Sequence, residues 1–366
     1  MERVRELGIS FNGYTTEEFV TYFFTLPAKN LTDGMSFLTA AIMTPKFDQT
    51  ELEKERHVVI GEFDRDEAQP TFKLEYAMDS AMWGAQVVRK QALGQRPTIL
   101  AATRDQMTTI QHKYYIPNNC AVIVSGDVDA DKVFALAEKD LGGWQRSDPP
   151  FPANDPPPFP PMTTQLIQRE AGIPDVQIWQ QFRGPSVHWG ANTNDDKAVY
   201  EADLITTILS MESSRYHHTL VDSGIVLSAS AGYDMQHNVG PLGFYIETMP
   251  EKTKQAIAAQ NAEIKKMTDP GYFSDEEVDA AKQNTKISRL YDLENPSDFA
   301  IGTTARWWAI AGVPFYLNYI SNINKVTRQD LADFVKKYLT QPYALGVGAS
   351  AETLKNLALN PAEALQ

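Results

Sequence analysis

Residues 103–126, TRDQMTTIQHKYYIPNNCAVIVSG, return at 327–350 as TRQDLADFVKKYLTQPYALGVGAS. The offset is 224, since 327 − 103 = 224, and Lys113-Tyr114 falls on Lys337-Tyr338. In each copy a Thr stands before a helical pattern, where its hydroxyl can cap the first turn. Met107, Ile110 and Tyr114 fall on one face of that helix. A turn at Pro117–Asn119 follows, and the apolar run Cys120–Ser125 then predicts a buried strand closed by Gly126-Asp127.

The copying extends outward in both directions. A hairpin ending FTLP at Pro27 matches one ending IETMP at Pro250, an offset of 223. The stretch Glu51–Pro70, ELEKERHVVIGEFDRDEAQP, matches the helix expected over Ser274–Tyr291, with Arg56 on Lys282 and Pro70 on Pro296. Three blocks in one order at near-constant offset mean an internal duplication. Between the copies, residues 149–161 read PPFPANDPPPFPP, with eight prolines. Such a run cannot be helix or central strand and acts as an extended spacer. The expected organisation is therefore a first repeat over 1–148, a linker over 149–161 and a second repeat over 162–366, each an α+β domain.

Gly8 corresponds to Gly224. Before Gly224 the second repeat has strands at Thr164–Glu170 and Asp175–Phe182 and helices at Asp195–Leu209 and Ser213–Val221. Before Gly8 there are seven residues, so the first repeat is expected to lack an opening strand pair and most of a helix. Elsewhere the patterns predict strands at Ile9–Tyr14, Val20–Leu26, Val226–Asp234, Gly243–Met249 and Ala344–Ala349. Helices are expected at Leu31–Met43, Phe72–Met82, Asp131–Leu141, Pro250–Met267, Pro296–Ala311 and Arg328–Tyr338.

Composition excludes several functions. The net charge of −14 argues against nucleic acid as a partner, since phosphate contacts need clustered Lys and Arg. Cys120 is the single cysteine, so there is neither an intrachain disulfide nor a thiolate cluster, and its apolar surroundings predict an inert structural thiol. No apolar run reaches the 18 residues of a membrane span, and MERVRELGIS has no signal-peptide core.

The Glu51–Pro70 helix holds the most informative acids. Glu55 and Glu62 are seven residues apart, two turns, and so share a face. Paired acids on a helix are commonly just a solvated face. At offset 226, however, Glu62 falls on Ser288, so its acid is particular to one repeat, and a scaffold carboxylate has little reason to differ. Of the six histidines, His57 points to another face of this helix. His112, His188 and His237 are isolated, and His217 and His218 are adjacent, so they are not expected to face one metal from a helix.

The duplicated α+β unit, the ExxxxxxE helix, Pro70, YYIPNNCAVIVSGDVD and GISFNGYTTEEFVTYF together resemble the pitrilysin/insulinase family of zinc metallopeptidases, the inverzincins with an H-x-x-E-H motif. The resemblance covers nearly the whole chain. It implies two homologous metallopeptidase-type domains closing like a clamshell on a peptide. It makes Glu62 the third zinc ligand and Glu55 the supporting acid that orients the ligands. The two histidines and the general-base Glu of H-x-x-E-H would then lie upstream of Met1, leaving this chain one of three zinc ligands and weak or no Zn²⁺ binding of its own. The same resemblance makes Gly8–Tyr14 an edge strand that pairs with substrate, with Ser10, Phe11, Asn12 and Gly13 as contacts; the family's Asn-Ala is Asn12-Gly13 here. An Arg and a Tyr that hold the substrate carbonyl in active members fall on Val221 and Leu227, while Arg215 and Tyr216 are expected to pack or cap. The implied function is a zinc endopeptidase. The alternative is a non-catalytic partner subunit, in a homo- or heterodimer with a relative. Export to the periplasm is the compartment that the resemblance favours.

Overall fold

The computed structural model describes residues 2–148, 159–187 and 194–365. Most of the proline spacer, 149–158, lies outside them, as does His188. The chain gathers into two compact units, neither continuous in sequence. The first comprises Met1–Arg65, Gln91–Pro157 and Asp292–Arg306, and the second Asp66–Lys90, Pro158–Tyr291 and Trp307–Gln366.

In the first unit, helix α1 (Glu2–Glu6) ends at Gly8, whose φ of +63° suits a residue without Cβ. Strands β1 (Ser10–Thr15) and β2 (Val20–Thr25) form an antiparallel hairpin with Ser10 opposite Thr25. Thr16 closes its turn: Oγ1 accepts from the N–H groups of Glu18 and Phe19 at 3.2 and 3.1 Å. Helix α2 (Leu31–Met43) follows. Helix α3 (Gln49–Glu67) starts on Asp48, whose Oδ1 accepts from Thr50 N (2.9 Å) and Glu51 N (3.1 Å). Leu7, Ile9, Leu31, Met35, Phe63 and Ile116 are buried here. Val58, one of the expected apolar positions of α3, is 54% exposed, because the inward face runs through Leu52, Val59 and Phe63 instead.

The duplicated cap survives in three dimensions. Thr103 Oγ1 accepts from Gln106 N (3.2 Å) and Thr103 N donates to Gln106 Oε1 (2.8 Å). At the same offset, Thr327 Oγ1 accepts from Asp330 N (3.2 Å) and Thr327 N donates to Asp330 Oδ2 (2.9 Å). Both are capping boxes, one closed by an amide and one by an acid. The matched cations also act alike. Arg56 donates to the carbonyl of Ala102 (2.5 Å), just before one cap, and Lys282 to that of Asn324 (3.2 Å), just before the other.

The second unit carries a five-stranded sheet in the order β3-β7-β4-β6-β5. Its strands are β3 (Gln165–Glu170), β4 (Val176–Arg183), β5 (Ser228–Tyr233), β6 (Pro241–Thr248) and β7 (Tyr343–Ala349). The β3–β7 pair is parallel and the others are antiparallel. Strand β4 alternates, with Val176, Ile178, Gln180 and Phe182 buried; Gln180 Nε2 donates to Asn261 Oδ1 at 3.1 Å, so its amide enters the core with a partner.

Strand β7 is buried along both faces, and its two faces differ in bulk. Leu345 and Val347 point one way; Ala344, Gly346 and Gly348 point the other. Helix α4 (Phe72–Trp83) lies on the small face. A Cβ on Gly346 would stand 2.5 Å from Met78 Sδ and 3.0 Å from Leu74 Cδ1, so the missing side chains admit the helix. Leu74, Met78, Met82 and Trp83 are all at most 2% exposed and pack with Ile167 and Ala344. Burying each large apolar side chain contributes roughly 1.5–3 kcal/mol. Gly84 ends α4 with φ +57°, and Arg183 Nε donates to the Met82 carbonyl at 3.0 Å.

Two sequence expectations need correction. Cys120–Ser125 is not a buried strand: it has no strand partner among the described residues, and Val122 is 51% exposed. Its counterpart at the offset of 224, β7, is held between β3 and β4, and an extended segment without such neighbours forms no ladder. The helices expected over Ser213–Val221, Pro296–Ala311 and Arg328–Tyr338 form, but each contains a π-helical stretch, at His218–Asp222, Phe299–Thr304 and Val335–Leu339. The helices Val313–Ile323 and Ala351–Leu357 went unread.

Truncating Met78 to Ala is expected to cost about 2–5 kcal/mol in urea unfolding. Gly346→Ala alone should cost about 1–3 kcal/mol through overpacking. Because Met78→Ala removes the clashing sulfur, the double variant should lose less than the sum of the two; strict additivity would show that the helix does not rest on this glycine.

Candidate functional site

The acids of α3 divide into two groups. Glu51 accepts from Lys54 Nζ (2.7 Å), Glu53 pairs with Arg56, and Asp64 accepts from Arg96 Nη2 (2.7 Å). Arg96 also lies 5.2 Å above the ring of Phe63, which holds the cation over the C-terminal part of the helix. Glu55 and Glu62 have no hydrogen bond or ion pair among the described residues. Glu55 is exposed and Glu62 half-buried. Seven residues at the helical rise set them about 10 Å apart along the axis.

Zinc takes three protein ligands and leaves a fourth position open in a catalytic site. No other donor completes such a set with Glu62 among the described residues. The residues present around Glu62 therefore do not by themselves fit a zinc ion. His57 is exposed on another face of the helix.

Strand β1 pairs with β2 and with no other strand among the described residues, so one long side of its backbone is open. Ser10, Phe11, Asn12 and Gly13 are all exposed along it. The N–H of Gly13 donates to Asn12 Oδ1 (2.8 Å). A Cβ at Gly13 would meet Tyr22 Cδ1 at 3.0 Å and the Thr21 carbonyl at 3.1 Å, which gives a local reason for Gly where the resemblance has Ala. Phe11 and Phe24 meet edge to face at 6.2 Å and stiffen the hairpin.

Arg215 and Tyr216 pack and cap, as expected. Tyr216 is fully buried and donates to Gln260 Oε1 (2.5 Å); burial pushes its phenol pKa well above the ordinary range, against the opposing pull of that hydrogen bond. Arg215 N donates to Glu277 Oε1 (2.6 Å) and its guanidinium lies 5.3 Å over the Tyr272 ring. Burial also raises the Cys120 thiol pKa, the opposite of what a nucleophile needs. A cleft between α4 and β3, lined by Phe72, Tyr76, Ile167 and Arg169, contains no acid, histidine or cysteine.

One expectation about the histidines fails. The nitrogens of His217 and His218 and a carboxylate oxygen of Asp222 all lie within 4.8 Å of one another. The α-helical turn Arg215–His217 passes into the π-helical turn His218–Asp222, and the wider turn sets Asp222 against both imidazoles. Neither a uniform helix nor the reading of adjacent histidines as divergent anticipates this.

Comparison with known proteins places the chain. The family model described as insulinase (peptidase family M16) matches residues 1–96. The model described as the peptidase M16 inactive domain matches residues 101–285, half of the chain. The chain belongs to the insulinase, or M16, peptidase family. It is 20% identical over 349 residues to an uncharacterized zinc protease of Bacillus subtilis, covering 94% of this chain and 82% of that one. It is 23% identical over 306 residues to the mitochondrial-processing peptidase subunit beta of Saccharomyces cerevisiae, covering 80% of this chain and 64% of that protein. In fold it resembles the crystal structure of a protease from Helicobacter pylori, with a TM-score of 0.77, 20% identity and coverage of 95% and 84%. It also resembles a peptidase M16 inactive domain from Pseudomonas fluorescens, with a TM-score of 0.78, 15% identity and coverage of 96% and 82%. No helix of the described residues is long and apolar enough to cross a membrane.

Glu55→Gln and Glu62→Gln are expected to shift folding stability by no more than about 0.5 kcal/mol, since neither acid has a partner to lose. Arg56→Ala, which removes a 17%-exposed cation bonded to Glu53 and the Ala102 carbonyl, should cost about 1–3 kcal/mol. Thermal unfolding of the three variants checks this. A large loss for Glu62→Gln would make that acid part of the scaffold.

Proposed function

We propose that this chain is the peptide-engaging part of an M16 zinc endopeptidase, and that Glu62 is the one zinc ligand it supplies. The observation that carries the proposal is the pair of unpartnered acids in α3. Their helical neighbours Glu51, Glu53 and Asp64 are all in ion pairs, while Glu55 and Glu62 are left open at the spacing of a ligand and its supporting acid. Relatives named zinc proteases support the metal. The remaining zinc donors and the general base would come from residues outside this sequence, in a longer form of the chain or in a related partner subunit.

Substrate would bind as an added strand. The open side of β1 offers backbone N–H and C=O groups to an extended peptide, a mode that reads main chain more than side chains. Ser10, Phe11, Asn12 and Gly13 are the contacts, and the Asn12 side chain holds the Gly13 N–H until a peptide displaces it.

A second reading, a non-catalytic partner subunit, is favoured by the same isolation of Glu62. A relative whose name marks it as one subunit of a processing peptidase makes division of labour a fair model. The two readings differ in what Glu62 does in the assembled protein.

The chain alone is expected to show no chelator-sensitive cleavage of an unfolded peptide; such cleavage by a pure preparation would overturn the assignment of the missing donors. In the longest natural form, or in the complex with its partner, Glu62→Gln should lower kcat/KM by orders of magnitude and release zinc. Unchanged rate and zinc content would favour the non-catalytic reading.

A further inference from the structure

We propose that His217, His218 and Asp222 form a binding site for a divalent transition-metal ion of the zinc class. Two imidazoles and one carboxylate are a donor set that suits borderline cations such as Zn²⁺, Ni²⁺ or Cu²⁺ rather than Mg²⁺ or Ca²⁺. The carboxylate stands between the rings. Asp222 Oδ1 is 3.7 Å from His217 Nδ1, and Oδ2 is hydrogen-bonded to His218 Nδ1. The two ring planes are inclined at 81°, so their nitrogens address the acid from different directions.

His217 Nδ1 supplies an independent sign. It is buried and has no hydrogen-bond partner, and such an atom carries an unmet desolvation cost. A cation bound against Asp222 would take up the nitrogen's lone pair. Ligand atoms of one tetrahedral zinc lie about 3.3 Å apart at the usual bond lengths of about 2.0–2.2 Å. The present spread of up to 4.8 Å closes with a rotation of His218, whose side chain is 58% exposed, about its contact with Asp222. The exposed side of His218 and Asp222 leaves room for water to complete the coordination.

The backbone beneath is fixed beforehand. Tyr216 and Leu220 are both fully buried, which anchors the turn on its inner side, with His217 partly covered and His218 facing outward. Ser214 Oγ accepts from His217 N (3.1 Å) and caps the turn. Ser223 Oγ donates to the Thr219 carbonyl (2.6 Å), and Val226 N to the Leu220 carbonyl (3.0 Å), which closes its end. Ligands on a braced turn lose little freedom when an ion arrives.

The test is zinc titration of the full chain, expressed without a polyhistidine tag and stripped of metal, in competition with a chromophoric chelator. One equivalent of Zn²⁺ should bind. His218→Ala and Asp222→Asn, both at exposed side chains, should each weaken binding by about tenfold or more. Zn²⁺ should raise the Tm of the parent and leave that of His218→Ala unmoved, while the metal-free melting curves of the two coincide, which separates ligand loss from misfolding. Replacing zinc by Co²⁺ should give visible bands that disappear in Asp222→Asn. No binding by the parent, or undiminished binding by both His218→Ala and Asp222→Asn, would overturn the proposal.

Discussion

Backbone pairing along both sides of β7 is the constraint on which the larger sheet depends. Its neighbours β3 and β4 come from the start of the second repeat, so the sheet joins chain segments more than 150 positions apart in sequence. Once the pairing is made, side-chain alternation follows. Leu345 and Val347 fill one face, and Ala344, Gly346 and Gly348 leave the other shallow enough for α4. The same pairing accounts for the contrast with residues 120–125. Their composition suits a strand at least as well as that of β7, yet Val122 is half exposed and no ladder forms. Strand propensity describes a fit to neighbours, and where the neighbours are missing the propensity has nothing to act on.

Local physics was readable in the sequence wherever it was local. The Thr103 and Thr327 caps are satisfied within three residues, and both form at the repeated offset. The hairpin β1–β2 closes over a four-residue turn held by Thr16. The extent of α3 follows from Asp48 at one end and Pro70 beyond the other. What sequence patterns could not convey was tertiary. Periodicity marks an apolar position but not whether a partner covers it, so Val58 is exposed where the pattern alone would bury it. The π-helical turns were equally hidden, because one added residue in a turn leaves the apolar spacing nearly that of an ordinary helix.

The candidate site was partly legible for the same reason. The duplication singled out Glu62, since its partner position is Ser288, and no structure was needed for that comparison. The structure contributes the state of the neighbouring charges. A surface helix with this many acids and bases commonly settles into i,i+3 and i,i+4 pairs. Helix α3 does so at Glu51–Lys54 and Glu53–Arg56 and leaves Glu55 and Glu62 aside. The histidine pair was misread because adjacent residues on an α-helix diverge by about 100°. That angle holds only while the turn stays α-helical, and here the chain changes its winding at His218.

The two acidic positions thus differ in kind, and the difference bears on how a duplicated protein divides its chemistry. Helix α3 and its copy Asp275–Asp292 keep the same start and the same inner cation, Arg56 or Lys282, bonded to a carbonyl before the next cap. Scaffold interactions are therefore retained in both copies. The open acid is retained in one. In the second copy, the groups suited to a cation sit elsewhere, on the turn at His217–Asp222, which is braced from within by Tyr216 and Leu220. A free acid on a surface helix costs little folding energy to keep or to lose, because it has no partner to abandon. Its presence in one repeat and absence from the other therefore follows no demand of packing.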